Sequence, residues 1–214
     1  MEGPIKTFSC PKCGAPIKLN SNHCDYCGIE YLVSSLSYIK EFNKDTVNKY
    51  INYYGEVLRD KPGDCEANLA VGICYLNLGI NELALKYITK AVEISPSLSA
   101  GYYYRALALL KGGRVETLNL NEIKEVESHI NVAIRLDNTK PYYYYFWAII
   151  KYKYYYKNAL RIIPPTIEEL VEEGNSRAED IKETKAMFNV FERIEKDIMD
   201  LIKPFNANGG VAPR

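Results

Sequence analysis

The stretch that decides the fold covers residues 64–96 and reads DCEANLAVGICYLNLGINELALKYITKAVEISP. Its apolar residues recur at steps of three and four on both sides of a break at residues 77–81, which predicts two amphipathic helices. The two apolar stripes are Ala67, Ala70, Val71, Cys74, Tyr75 and Leu78, and then Leu83, Ala84, Tyr87, Ile88, Ala91 and Val92. Gly79 can end the first helix, Asn81 can cap the second, and Pro96 cannot continue it. The stretch therefore predicts a helical hairpin.

The order of small and large residues in this hairpin resembles a tetratricopeptide repeat, a helix–turn–helix unit of about 34 residues. With the family's proline placed on Pro96, its small and aromatic positions fall on Gly72, Tyr75, Ala84, Ile88 and Ala91. The resemblance implies a mainly α superhelix of helical hairpins, in which Gly72 and Ala84 allow close helix approach. It also implies binding of a protein or peptide partner. Any antiparallel helix pair with hydrophobic stripes is the plainer alternative.

Weaker copies of the same pattern flank the hairpin. Residues 45–59 read as a helix that ends before Pro62, which lies 34 positions ahead of Pro96. Residues 99–111 read as the next first helix, but the partner at residues 123–137 is displaced by an insertion at residues 112–121. We therefore assign residues 45–163 to helical repeats, and residues 34–44 to a linker that packs in part.

The C-terminal part of the chain predicts helices that cover the end of the array. Pro141 stands at a favoured first helical position and opens a helix that runs to Pro164. Two capping-box patterns follow, each a serine or threonine with a glutamate three positions later, at Thr166 and at Ser176. Residues 164–203 are accordingly interpreted as capping helices, with one long final helix, and residues 204–214 as a disordered tail.

The N-terminal residues 1–33 contain four cysteines in two C-x-x-C-G turns, a pattern typical of a metal site. Such turns direct two thiolates each at one ion, so the predicted ligands are Cys10, Cys13, Cys24 and Cys27. Four thiolates favour a structural zinc ion, one per chain, with iron as the minor alternative. The stretch resembles a short zinc ribbon, with strands predicted at residues 17–19 and 29–33, and His23 is interpreted as exposed rather than as a ligand.

Composition narrows the possible functions. The formal net charge is zero, no apolar run reaches the length of a membrane span, and the N-terminus lacks the apolar core of a signal peptide. We therefore expect a cytoplasmic protein without a membrane partner. The sequence carries no phosphate loop, dinucleotide fingerprint or nucleophile elbow, so we expect no enzyme activity. Cys65 and Cys74 stand apart from the paired cysteines and are interpreted as structural.

Residues 139–163 form a tyrosine-rich segment with five basic residues and no acidic one. If its aromatic side chains line the groove of a superhelix, they form a partner surface with a basic end. The predicted partner-binding residues are Tyr102, Tyr103, Tyr142, Tyr145, Tyr152, Lys151 and Lys153. Two alternatives stay open: the tyrosines pack between repeats, and the basic residues meet the acidic segment 167–203, whose net charge is −5.

The sequence thus favours a non-enzymatic adaptor that binds a protein or peptide. The alternative is a nucleic-acid-associated zinc-ribbon protein, in which the tyrosines stack on bases and the lysines contact phosphates.

Overall fold

The computed structural model describes residues 7–10, 12–18, 23–29, 32–110, 112 and 115–203. The chain divides into two compact units, Met1–Ser95 and Pro96–Arg214. In the first unit, the described elements are β1 (Thr7–Ser9), β2 (Pro16–Lys18), α1 (Leu36–Ile39), α2 (Lys44–Asp60), α3 (Cys65–Asn77) and α4 (Asn81–Ile94). In the second, they are α5 (Ser99–Leu109), a 3₁₀ turn (Val115–Thr117), α6 (Leu120–Leu136), α7 (Pro141–Lys151), a π-helical segment (Tyr152–Tyr156), α8 (Ile167–Asn175), α9 (Ile181–Phe188) and α10 (Lys196–Leu201).

The hairpin of α3 and α4 confirms the prediction from its periodicity. Gly79 ends α3 in the left-handed conformation, with φ of 74°, and the N–H of Ile80 reaches back to the carbonyl of Tyr75 at 2.9 Å. This is the helix ending that favours glycine, because a side chain at positive φ is strained. Asn81 does not cap α4 as expected. It is the first helical residue, and Ile80 occupies the cap position without a side-chain hydrogen bond.

The two helices of this hairpin approach each other closely at Gly72. A Cβ atom added there would lie 2.5 Å from Cγ1 of Ile88, so only glycine fits at this contact. Ala84 and Ile88 of α4 are fully buried. The small residues on which the resemblance depended are therefore at the helix interface.

Residues 34–44 contain α1, which packs on α3 rather than forming an extended linker. Leu36 and Ile39 of α1 are buried. Just before them, the backbone N–H of Val33 donates to the hydroxyl of Tyr54 on α2 at 3.0 Å. The end of the ribbon is thus tied to the helices of its own unit.

The second unit contains a hairpin of α5 with α6 and a hairpin of α7 with α8. The expected insertion contains the 3₁₀ turn, and α6 begins three residues earlier than predicted because Asn119 and Glu122 form a capping box. The capping box predicted for Thr166 is present at the start of α8, where Glu169 bonds back to the Thr166 N–H at 2.7 Å. None of the described helices is both long and apolar enough to cross a membrane.

Two predicted helices differ from the structure. The tyrosine-rich helix leaves the α form at Tyr152, and the N–H of Lys157 bonds to the Tyr152 carbonyl at 3.1 Å, a step of five residues. The long final helix is divided into α9 and α10. It is capped by Asp180 rather than Ser176, because the Asp180 carboxylate accepts from the Glu183 N–H at 3.1 Å. The predicted tail lies outside the described residues.

Candidate metal centre and the tyrosine-rich core

The structure brings the four predicted cysteine ligands together. Their sulfur atoms all lie within 4.8 Å of one another. The Sγ atoms of Cys10 and Cys27 are 3.7 Å apart, and so are those of Cys13 and Cys24. A tetrahedral zinc ion with Zn–S bonds of about 2.3 Å requires sulfurs about 3.8 Å apart. The donor set and its spacing therefore fit a four-thiolate metal site.

The two C-x-x-C-G turns that present the thiolates have the same backbone geometry. In each turn, the glycine N–H donates to the carbonyl of the first cysteine, and the N–H of that cysteine donates to the residue after the glycine. The four bonds are Gly14 to Cys10 at 2.9 Å, Cys10 to Ala15 at 2.7 Å, Gly28 to Cys24 at 2.8 Å and Cys24 to Ile29 at 2.9 Å. Both glycines have positive φ, 75° and 69°, which a side chain would strain.

The strands of the ribbon are partly as predicted. β1 and β2 pair antiparallel around the first turn, with Ser9 opposite Pro16, and β2 overlaps the predicted strand at residues 17–19. The strand predicted at 29–33 is wrong for its described residues, Ile29, Leu32 and Val33, which are irregular. Val33 bonds through its N–H to the Tyr54 hydroxyl, so this group is not available to a sheet.

The surroundings of the thiolates suit a structural ion. Cys10 and Cys24 are buried, whereas Cys13 is exposed. Burial raises the pKa of the Cys10 thiol to about 12, so a bound cation must displace its proton. Four protein ligands complete a tetrahedral shell and leave no position for a substrate. His23 is exposed, as expected.

The predicted partner-binding residues do not form an open surface. Tyr102 is half-buried, and the other six are buried in the second unit: Tyr103, Tyr142, Tyr145, Lys151, Tyr152 and Lys153. The tyrosine rings of α5 and α7 pack on one another, with the Tyr103 and Tyr143 centroids 4.8 Å apart. This placement corresponds to the alternative of packing between repeats, and a partner-binding role for these residues stays a prediction.

Lys151 is 2% exposed, and the groups that compensate its charge lie inside the second unit. Its Nζ lies 3.4 Å from the Glu127 carboxylate of α6 and donates to the Ile163 carbonyl at 3.0 Å. Glu127 also accepts from Trp147 Nε1–H and from the Tyr155 hydroxyl, both at 2.8 Å. One carboxylate thus holds three donors of the tyrosine-rich segment.

Lys153 is 3% exposed and lies between two carboxylates, Glu116 at 3.0 Å and Glu195 at 3.5 Å. Glu195 also pairs with Lys157, and Asp197 accepts from the Tyr152 hydroxyl. The interpretation that the basic residues meet the acidic segment 167–203 therefore holds for Glu195, whereas Asp197 meets a tyrosine. The sequence pattern did not single out Glu116 and Glu127, because isolated glutamates in an insertion and on an amphipathic helix read as exposed.

A further contact was not predicted: α9 and the irregular residues just after it lie against α5 and α7. The Tyr104 hydroxyl on α5 donates to the Glu183 carboxylate at 2.9 Å, and the Phe146 ring on α7 lies 5.9 Å from the ring of Phe191. Burial, together with nearby Tyr143 and Glu183, raises the pKa of Tyr142 above its usual value. The sequence predicted capping helices in this region but gave no sign of which helices they would face.

Comparisons with known proteins agree with this architecture. No protein-family model matches the sequence, and no curated protein matches it. Among solved structures, the chain is similar to MamA, with 20% identity over 62% of this chain and 69% of that one, at a TM-score of 0.50. It is also similar to TTC0263, a thermophilic TPR protein of Thermus thermophilus, with 14% identity over 68% and 73% of the two chains and a TM-score of 0.53. The fold is therefore that of tetratricopeptide-repeat proteins, with a four-cysteine ribbon at its N-terminal end.

Proposed function

We propose that the chain is a non-enzymatic cytoplasmic adaptor that binds a protein or peptide through its helical hairpins and holds one structural zinc ion in its ribbon. The observation that carries the proposal is the combination of a closed four-thiolate site with a tetratricopeptide-repeat fold. The closed site supplies folding energy rather than chemistry. Proteins of this fold stack hairpins into surfaces suited to binding other chains, and the cytoplasm keeps such thiols reduced.

Zinc is favoured over iron because a compact four-cysteine site in two short turns is the common structural zinc arrangement. Native mass spectrometry of freshly purified, reduced protein is expected to find one zinc per chain. The Cys24→Ser variant should lose that mass, whereas Cys65→Ser, outside the cluster, should keep it. Metal-free wild-type protein, or iron in place of zinc, would contradict this part of the proposal.

The adaptor role is tested by affinity capture from the native source with the full chain as bait. We expect a protein partner that survives nuclease treatment and is also captured by the zinc-free Cys24→Ser variant, since the hairpins are proposed to make the contact. Capture that disappears with nuclease would favour the nucleic-acid alternative.

Two of the lysines that the nucleic-acid alternative would use are not open to phosphates. A phosphate-binding surface needs lysines that face solvent. Lys151 and Lys153 are instead paired with Glu127, Glu116 and Glu195 inside the second unit. We therefore keep protein binding as the proposed function.

A further inference from the structure

The face of α5 and α7 that carries Tyr104, Tyr142 and Phe146 is covered by a segment of the same chain, residues 180–191. We call this face the α5/α7 face. Within the segment, the side chains directed inward are buried while the lysines Lys182 and Lys185 are exposed. The buried set is Glu183, Thr184, Ala186, Met187, Phe188 and Phe191. The segment therefore lies on the α5/α7 face as an amphipathic helix lies in a groove.

The contact between the segment and the α5/α7 face is partly polar. Glu183 is 2% exposed and accepts from the Tyr104 hydroxyl at 2.9 Å. The Thr184 and Tyr103 hydroxyls are buried and have no hydrogen-bond partner within the described part of the chain. Burying a carboxylate and leaving hydroxyls unsatisfied both cost free energy. These costs reduce the net free energy that holds the segment on the α5/α7 face.

The segment is also self-contained. Asp180 caps α9 with its own carboxylate, and irregular stretches bound the helix at residues 176–180 and 189–195. Its anchoring side chains come from the two turns of α9 and from Phe191, three residues beyond the helix. A separate chain with the same short pattern could therefore present the same groups.

We propose that the α5/α7 face is a docking surface for a short helical segment of a partner protein, and that residues 180–191 occupy it in cis. The partner segment carries a carboxylate for Tyr104 and, at i+4 and i+8 from it, methionine or aromatic side chains for Phe146 and its neighbours. Glu183 and Met187 on α9, and Phe191 just beyond its end, stand at this spacing in the chain itself. The inference rests on the proposed adaptor function and names the chemistry of the partner.

The test uses a fluorescently labelled peptide of residues 180–191, DIKETKAMFNVF, titrated against the full-length protein by anisotropy. The Phe191→Ala variant weakens the segment in cis, so the peptide should bind this variant at least about tenfold more tightly than wild type. Lys185→Ala, on the exposed side of α9, is the matched control and should bind the peptide like wild type. A peptide with Glu183→Gln and Phe191→Ala should bind the Phe191→Ala protein at least about tenfold more weakly than the unmodified peptide.

If the Phe191→Ala variant does not fold, hydrogen exchange of the wild-type chain tests whether residues 180–191 open. Amides of residues 184–188 should exchange at least about a hundredfold faster than buried amides of α7, because the segment opens without unfolding the unit. Equal protection of both helices, or no gain in peptide binding by folded Phe191→Ala protein, would show that α9 is a permanent part of the core. The adaptor proposal would survive that result, because its capture experiment is independent of the α5/α7 face.

Discussion

In the hairpins α3–α4 and α7–α8, the two helices approach each other closely at a glycine. The glycine lies on the first helix of one hairpin and on the second helix of the other. In α3–α4 the glycine is Gly72 on the first helix, and Ile88 of the second helix fills the space beside it. In α7–α8 the glycine is Gly174 on the second helix, and a Cβ atom there would overlap the ring of Tyr145 from the first. Close approach of two helices therefore needs one glycine at the contact, but either helix can supply it.

The two glycine contacts differ in whether the side chain packed against the glycine needs a hydrogen-bond partner. Ile88 packs through dispersion and needs no polar partner. Tyr145 carries a hydroxyl that must be satisfied when buried, and it donates to the Asn175 side chain at 3.0 Å. The contact at Tyr145 thus depends on a specific acceptor, whereas the contact at Ile88 depends on shape.

Removal of the metal should have the largest effect and should separate the ribbon from hairpin α3–α4. A stretch of this size cannot bury a core without its metal, and apparent binding energies of structural zinc are about 10–16 kcal/mol. Chelation under reducing conditions should unfold the ribbon, while α3–α4 keeps its own buried interface. Circular dichroism is expected to retain most of its helical signal. Loss of the majority of that signal would show that the helices depend on the ribbon, through contacts such as that of Val33 with Tyr54 of α2.

The second prediction concerns the charge that the tyrosine-rich segment requires. Glu127→Gln keeps the shape of the side chain but leaves the buried Lys151 without its counter-charge, which should lower the free energy of unfolding by about 3 kcal/mol. Glu125→Gln is the same change at a half-exposed position of the same helix and should cost less than about 0.5 kcal/mol. Urea unfolding of the two variants measures both values. Equal effects would mean that the Lys151 pair adds nothing specific.

The third prediction compares the glycines directly. Alanine should overlap Ile88 at position 72 and Tyr145 at position 174, so we expect Gly72→Ala and Gly174→Ala to lose about 1–2 kcal/mol each, despite the better helix propensity of alanine. Gly55→Ala in α2 meets no atom within 4 Å and should instead gain up to about 1 kcal/mol. Thermal unfolding of the three variants shows whether each substitution lowers or raises the stability. Stabilisation by Gly174→Ala would show that the contact with Tyr145 adjusts readily.

The smallest effects are expected at the starts of the second helices. Thr166→Ala removes the capping box of α8 and should cost about 1 kcal/mol. Asn81→Ala should change the stability by less than about 0.5 kcal/mol, because Asn81 is inside α4 and caps nothing. A cost at Asn81 equal to that at Thr166 would show that its bond to the Gly79 carbonyl matters in solution.

The sequence predicted those features whose determinants are local. The cysteine spacing predicted the cluster of four cysteines, and the apolar periodicity with Gly79 and Pro96 predicted hairpin α3–α4, because both patterns act within a few residues. Local patterns could not predict whether the tyrosine side chains are buried or exposed. Whether Tyr145 faces solvent or Gly174 depends on how α7 is rotated, which residues far along the chain decide.

Local patterns also could not predict which charged residues pair with one another. Lys153 is 37 positions from Glu116 and 42 from Glu195, and no spacing rule connects them. The break between α9 and α10 was also missed, since the apolar residues on either side continue a helical period while the chain between them is irregular. In each case a tertiary contact overrides what the local pattern indicates.

The position of Trp147 gives the protein a built-in optical reporter. It is the single tryptophan of the chain, and it lies in the second unit with its indole N–H on Glu127 and the Lys151 ammonium 5.4 Å from its ring centroid. Loss of these two charged neighbours should change its emission, whereas unfolding of α3 and α4 leaves them in place. Fluorescence therefore follows the second unit, and far-ultraviolet dichroism follows both. The separation between the two denaturation curves will measure how far the units unfold independently.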